Sequence, residues 1–546
     1  MFAHILVVMI VAIAITALAE RRNIQPALLV AIVGLAASFI PGIPALELEP
    51  EIILSVVLPP MLFSAASDFS FVNFTRRMGT IINLGVFMVF ATTIVVAVVA
   101  VLQVPGLPVA AALVLGAVVA PPDAVTAITI GRKMGLPSAL MTVLKGESLI
   151  NDAAALTLFA AAVAAATGTH PFIDNVALYF LYTAAVGIIL GTLIGNLAQL
   201  ARRRLGNPSL ATVISVIVPF AAYLLAEELH ASGVLAVVAA GFSLGYHAAK
   251  SGYEERIQER QFWRTVDTLL ETFVFAYIGL QLRFVITDAA VAGYDMWKLA
   301  GAATAIFLAI VATRFVWIFA TAVIGRWRYR GVTRRMAELQ RRPGKRPRPV
   351  PQPPLRWREN FVLSWTGMRG VVTLAAAAGT PVITASGAAF PGREAIVAIA
   401  FLVTIATLLI HGLTLPWLIN RLDLTNPEDA LHYARQHALA VRLSEAATKE
   451  ALAEYHARHD NPTSQRLVEL MERRARRHRH EDLGNDLLAR EEALTLSHYL
   501  LEARRARLVA ARDANELDDI VLRDMLEQMD LEQAFIDSLS HPPAEG

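Results

Sequence analysis

Between Leu144 and Phe159 the chain reads LKGESLINDAAALTLF, and this apolar run holds two carboxylates, Glu147 and Asp152. On a helix Glu147 and Asn151 stand four residues apart, and so do Ser148 and Asp152 on the neighbouring stripe. One face therefore presents a hydroxyl and a carboxylate a turn apart. These are hard oxygen donors, suited to a small alkali cation rather than a soft metal. A second stretch, GAVVAPPDAVTAI from Gly116 to Ile128, sets Pro121 and Pro122 directly before Asp123. Each proline lacks an N–H and disfavours helix before it, so the helix must break and free carbonyls near Ala120 and Pro121. Asp123 then reads two ways: as the cap of a second half-helix, stabilised by its positive dipole end, or as a ligand. A third stretch, SWTGMRGVVTL from Ser364 to Leu374, holds Arg369 between Gly367 and Gly370. Glu147 needs a compensating cation, with Arg314 and Arg369 as the buried candidates, and reads first as a structural ion pair. Asp152 has Asn151 beside it and no adjacent cation, so for it ion binding is the first reading.

The elements that position these residues follow from composition. Of 546 residues 55% are hydrophobic and 17% charged, where soluble domains carry roughly 25%. Charge is sparse up to about Asn420 and dense beyond it. Apolar runs of membrane-spanning length recur through the first three quarters, which excludes a soluble globular protein there. We count 13 spans and expect an all-α membrane protein. The chemistry-bearing stretches fall in span 5 (residues 108–130), span 6 (138–166) and span 12 (359–383). Breaks in spans 5 and 12 are seven spans apart, the offset expected if spans 1–6 and 8–13 are inverted repeats joined by span 7. Asp267 and Glu271, in the first turns of span 10 (265–286), read as a wet helix end. The net charge of +2 carries little information, but the absence of cysteine excludes disulfides, thiolate metal sites and cysteine nucleophiles.

Loop charge sets the orientation. Odd-numbered loops hold 25 Lys and Arg residues, and even-numbered loops with their span edges hold three, Arg283, Lys298 and Arg393. By the positive-inside rule the odd loops and the C-terminal tail are cytoplasmic. The first apolar run, Ile5 to Leu18, ends at Glu20-Arg21-Arg22. That places the charge on the wrong side for a signal peptide and marks a span entered with the N-terminus outside. Residues 1–421 form the membrane domain. Within it, residues 326–358 make a basic cytoplasmic loop that reads as a solvated linker, with anionic lipid contact as the other reading. Residues 422–546 are rich in Ala, Leu, Glu and Arg at helical spacing and read as a helical cytoplasmic domain, regulatory or supporting a dimer. The His478–His480 run in it reads as a basic helix end rather than a metal site.

The stretch GESLIND at Gly146–Asp152 resembles the signature of the sodium/proton exchangers of the cation:proton antiporter superfamily, in the branch with an Asn-Asp pair. SVVLPPMLF (Ser55–Phe63), PPDAV (Pro121–Val125), SGVLAVVAAG (Ser232–Gly241), YIGLQL (Tyr277–Leu282), GMRGVV (Gly367–Val372) and HGLTLPWLI (His411–Ile419) agree in order and spacing. The resemblance covers the whole membrane part. It implies a homodimer in the inner cell membrane, with crossed, unwound spans 5 and 12 in a mobile core, serving pH and sodium homeostasis. Its implied partners are Na+ or another monovalent cation, H+ and membrane lipids, with no cofactor, no nucleic acid and no enzymatic activity. Carried over by motif, Asp152 would bind proton and cation in turn, with Asn151 as its motif partner. Ser148, Asp123 and a span 5 carbonyl near Pro122 would complete the cation shell. Arg369 would stabilise the crossed helix ends and neutralise Asp123, and Glu147 would pair with Arg314. Three positions depart from the pattern. Ser64 stands where many relatives are acidic, Pro122 where many carry Thr or Ser, and Lys145 where relatives are often acidic or apolar.

No Walker sequence is present, so an ion gradient must drive transport. One titrating carboxylate gives one proton per monovalent cation and electroneutral exchange. A cation channel needs a continuous pore, which a lone buried carboxylate beside broken helices does not make. An intramembrane aspartyl protease using Asp123 and Asp152 leaves the paired breaks unexplained. The charge split yields a prediction. A reporter fused after the tail is active in the cytoplasm; activity only outside the cell would refute the 13-span topology.

Overall fold

In lipid a backbone must satisfy its own N–H and C=O groups, and long apolar runs do so as helices. The computed structural model describes residues 2–22, 25–41, 52–169, 173, 175–340, 353–424, 427–458, 487–514 and 516–540. Among these, regular structure is helical, apart from one isolated bridge between Ile383 and Ala389. Eight helices are long and apolar enough to cross a membrane. The stretches with prolines and glycines make shorter pieces, for the reason that breaks them.

Two units divide the chain. The first comprises residues 1–204, 213–245 and 262–425. It opens with α1 (Phe2–Arg21) and α2 (Pro26–Ser38). A π-helical turn at Ile53–Val57 leads into α3 (Leu58–Ser67), and another at Asn83–Phe87 joins α4 (Phe71–Ile82) to α5 (Met88–Gln103). Then come α6 (Val109–Val119), α7 (Val125–Lys133) and α8 (Ser138–Thr167). Alanine is the best helix former, and the run after Asp152 carries α8 on to Gly168, whose left-handed φ of 77° ends it. α9 (Val176–Leu205), α10 (Pro208–Glu228) and α11 (Gly233–His247) follow. α12 (Tyr253–Val291) and α13 (Met296–Gln340) are the longest. α14 (Trp357–Trp365) and α15 (Val371–Ala378) are short, and α16 (Arg393–Leu422) closes the unit.

Small residues bring these helices together. A Cβ added to Gly34 of α2 would lie 3.1 Å from the Gly279 Cα of α12, and one on Gly279 would lie 2.8 Å from the Gly34 Cα. Around such contacts lie three apolar clusters. One joins α2, α8, α12, α14 and α16; one joins α5, α6, α13 and α16; one joins α3, α8, α10 and α11.

The basic segment expected as a loop from residue 326 is helical as far as Gln340, because Arg, Met, Ala, Glu and Leu there are strong helix formers. Its proline-rich centre and the His478–His480 run lie outside the described residues.

The second unit comprises residues 205–212, 246–261 and 426–546. Its helices α17 (Pro427–Arg458), α18 (Leu487–Asp513) and α19 (Asp519–Ser540) share a core of Ala440, Leu501, Leu508, Leu522 and Leu526. Arg256 grips the fully buried Asp530 through both carboxylate oxygens, with Nε to Oδ2 at 2.9 Å. Arg505 reaches the same carboxylate at 3.4 Å. Asp530→Ala leaves the buried Arg256 and the partly buried Arg505 short of their acceptor, a loss of about 3–5 kcal/mol. Limited proteolysis should then cut the tail at lower protease concentration than in wild type; an unchanged pattern would show the pair to be dispensable.

Candidate functional site

The two broken stretches become two interrupted helices. Pro121 and Pro122 end α6 at Val119, and helix resumes only with α7 at Val125. The glycines around Arg369 open the chain between α14 and α15. The two breaks touch, for the Asp123 N–H donates to the Met368 carbonyl at 2.6 Å. Gly370 lies so close to the Asp123 carboxylate that a Cβ there would collide with it.

Charge at the junction follows the helix dipoles. Arg369, 3% exposed, meets the ends where carbonyls are freed. Its Nε donates to the Val119 carbonyl at 2.9 Å and its Nη2 to that of Ala120 at 3.2 Å, while Nη1 donates to Gly367. The Arg369 backbone N–H donates to Thr407 Oγ1 of α16 at 3.0 Å. Asp123 stands at the opposite ends. Its Oδ1 accepts from the Val125 N–H at the start of α7, 2.8 Å away, and its carboxylate abuts Gly370, where α15 begins. The contacts of Arg369 are thus with carbonyls rather than with Asp123.

Helix α8 runs beside the junction and buries its polar face. Glu147 and Arg314 of α13 form a bidentate ion pair, with Nη2 to Oε2 at 3.0 Å and Nη1 to Oε1. The Arg314 Nε donates to the Leu363 carbonyl of α14 at 3.0 Å. Three helices are thereby tied by one guanidinium, and fork-to-fork geometry of this kind is the strong form of the pair. Four residues on, Asn151 is wholly buried. Its Nδ2 donates to the Pro122 carbonyl at 2.5 Å, while its Oδ1 has no partner. Asp152 is buried at 9% exposure, with neither a hydrogen bond nor an ion pair among the described residues, and it lies within electrostatic range of Asp123. Ser148 is half-buried. Asp152, Asn151, Asp123 and the Pro122 carbonyl thus come together where α8 passes the breaks, and Ser148 stands one turn before Asp152 on α8.

Lys145 lies outside this group. Its ammonium reaches Asp68 at 3.4 Å and stands 6.0 Å from the Phe69 ring centre. Ser64 donates its hydroxyl to Asp267 Oδ2 at 2.6 Å. Sequence reasoning passed over Thr407 and read Asp267 with Glu271 as a wet helix end; their four-residue spacing is visible in the sequence, but not the Ser64 hydroxyl that meets Asp267.

Residues 6–421 match the transmembrane sodium/hydrogen exchanger family. An uncharacterized Na+/H+ exchanger of Mycobacterium tuberculosis is 32% identical over 97% of this chain and 96% of its own. The low-affinity Na+/H+ antiporter NhaS1 of Synechocystis is 30% identical over 81% of this chain and 79% of its own. The fold is similar to that of the sodium proton antiporter MjNhaP1 from Methanocaldococcus jannaschii, with a TM-score of 0.54 at 18% identity, covering 78% of this chain and 99% of that one.

The ion pair generates a prediction. Glu147→Gln strands Arg314 in the core, at a cost of about 3–5 kcal/mol. Asp152→Asn removes a charge that has no partner, and costs less. Melting of the purified protein in detergent should therefore fall further for Glu147→Gln. Equal melting with vanished exchange would make Glu147 a ligand instead.

Proposed function

The chain belongs to the sodium/hydrogen exchanger family, and from that premise we infer that Asp152 is the one group that carries proton and cation in turn. The protein is a membrane antiporter exchanging sodium for protons, a transporter and not an enzyme. The observation that carries the role of Asp152 is its isolation: a buried carboxylate with no hydrogen bond and no arginine, beside the orphaned Asn151 Oδ1.

A bare carboxylate in such a place costs several kcal/mol, so it takes up a proton or a cation. Facing the alkaline side, Asp152 loses its proton and holds a cation. Facing the acidic side, the proton displaces that cation. Only the occupied site is neutral enough to pass the apolar barrier, which couples the two fluxes and prevents leak. One carboxylate per cycle gives one proton per monovalent cation, an electroneutral exchange. Asp123, Ser148 and the Pro122 carbonyl complete the oxygen shell, with Asn151 fixing that carbonyl. Hard oxygens suit Na+, and Li+ and K+ are the other candidates.

The meeting of the two breaks supports spans 5 and 12 as crossed helices in a 13-span, inverted-repeat membrane domain. The loop charges support an N-terminus outside and a tail in the cytoplasm. The working assembly is a homodimer in the lipid of the inner cell membrane, serving pH and sodium homeostasis.

If both ions share Asp152, protons compete with the cation. The half-saturating cation concentration then rises about tenfold for each pH unit below the pKa of the carboxylate. Asp152→Asn abolishes cation-driven proton movement in proteoliposomes while leaving the protein folded. Undiminished exchange by Asp152→Asn would remove this mechanism.

A further inference from the structure

In the second unit Tyr253, Arg256 and Arg260 of α12 meet Asp537, Asp530 and Glu527 of α19, so the first turns of α12 run antiparallel to α19. Tyr253 donates its hydroxyl to Asp537 Oδ2, and Glu254 Oε1 stands 3.2 Å from the same hydroxyl. The other oxygen of Asp537, Oδ1, lies 2.6 Å from His498 Nε2 of α18. His498 Nδ1 lies 2.9 Å from the Leu494 carbonyl. Both ring nitrogens therefore face oxygen acceptors. A neutral imidazole has one N–H and one lone pair, so it satisfies one of these contacts and sets a lone pair against an oxygen at the other. Only the imidazolium makes both. The side chains of His498 and Asp537 are 34% and 32% exposed, so protons from solvent reach the pair. The charged groups around it have other partners. Arg505 turns to Asp530 and Gln533, and Arg504 to Glu532. Glu454 of α17 takes the Tyr499 hydroxyl and pairs with Arg458. Glu502, one turn after His498, lies within electrostatic range of Arg505. Of these groups, imidazole is the one whose charge ordinarily changes between roughly pH 5 and 8.

We propose that His498 is a pH-sensitive latch on exchange: as imidazolium it fixes Asp537 for Tyr253 and so holds the foot of α12 to the tail, and on losing its proton it lets that foot go. α12 is one uninterrupted helix from Tyr253 to Val291. Its later turns carry Val274, Phe275 and Ile278 into the apolar cluster that holds Leu140, Val143 and Leu144 of α8, the helix of Asp152. A helix held at its foot resists the rearrangement that turns the ion site from one side to the other, so the latched protein turns over more slowly. The imidazolium makes both contacts, so the latch is closed at acid pH and opens as pH rises through the imidazole range. Arg256 and Arg260 stay charged throughout, so only the outermost of the three contacts opens. On the topology proposed above the tail is cytoplasmic, and an alkaline cytoplasm releases exchange. The latch acts on turnover, whereas proton competition at Asp152 acts on the half-saturating cation concentration.

This inference rests on the antiporter reading, and its test separates the two. Uptake of radioactive Na+ into proteoliposomes is measured over a range of Na+ concentrations, with equal pH on both sides, from about pH 5.5 to about pH 8.5. Wild type is compared with His498→Gln, His498→Arg and Tyr253→Phe, and the maximal rate is read as the ratio of variant to wild type at each pH. His498→Gln cannot become a cation, and Tyr253→Phe lacks the hydroxyl. Both run about fivefold faster than wild type at the acid end, the weight of one partly exposed ion pair, and match it at the alkaline end. His498→Arg is a cation throughout, so it matches wild type in acid and falls about fivefold behind it in alkali. Ratios that diverge at opposite ends of the pH range are not what a merely structural role produces. Tyr253→Phe leaves the His498–Asp537 pair in place, so it tests the latch even where a substitution of His498 unfolds the tail. A ratio for His498→Gln or Tyr253→Phe that does not change with pH overturns the inference. So does a shift in half-saturating Na+ concentration at unchanged maximal rate. Absence of exchange by wild type would remove the antiporter reading itself.

Discussion

The bidentate pair between Glu147 and Arg314 is the constraint on which the membrane unit depends. Both side chains are buried, and charge inside an apolar unit is tolerable only when paired and hydrogen-bonded. The pair fixes α8 against α13, and the remaining Arg314 donor fixes α14 through the Leu363 carbonyl. This settles the rotation of α8 about its axis. Once Glu147 is turned towards Arg314, Asn151 faces the α6–α7 break, where it takes the Pro122 carbonyl. Asp152 follows on the next stripe and is left without a counter-charge. A compensated carboxylate and an uncompensated one, five residues apart on one helix, are what separate a strut from a group free to bind something mobile.

The junction of the breaks obeys the same rule with backbone groups. Interrupting a helix inside an apolar domain frees carbonyls on one side and N–H groups on the other. Arg369 answers the carbonyls of Val119, Ala120 and Gly367, and Asp123 answers the N–H of Val125. The missing Cβ of Gly370 is what allows the Asp123 carboxylate to close on the start of α15. Each charged residue of the junction thus sits at the dipole end that stabilises it. The cost of breaking two helices is offset by the same groups that make the place chemically useful.

The second unit shows the contrast. There the core is built largely of leucine and alanine at helical spacing, and the buried carboxylate of Asp530 is held by Arg256 and Arg505. On α12 the contrast is with Asp267, which accepts from the Ser64 hydroxyl, and with Glu271, which has no salt bridge among the described residues.

Much of this was legible in the sequence, because lipid imposes rules that composition obeys. Apolar runs of fixed length specify helices, and prolines and glycines inside them specify where those helices stop. Thus the breaks at Pro121-Pro122 and around Arg369 could be placed from residue type alone, as could the four-residue spacings that put Ser148 beside Asp152. The family too was carried by local motifs such as GESLIND and GMRGVV. What the sequence left open were the partnerships between helices. Glu147 had two buried arginines available, and only packing chose Arg314. Arg369 was expected to neutralise Asp123, yet its donors go to the carbonyls of Val119, Ala120 and Gly367. Asp267 and Glu271 read as a wet helix end, and only the fold brings Ser64 of α3 against Asp267. Spacing along one helix fixes which residues share a face, but which helix that face meets depends on contacts between segments far apart in sequence, here 203 residues for Ser64 and Asp267. That information exists only in the folded chain.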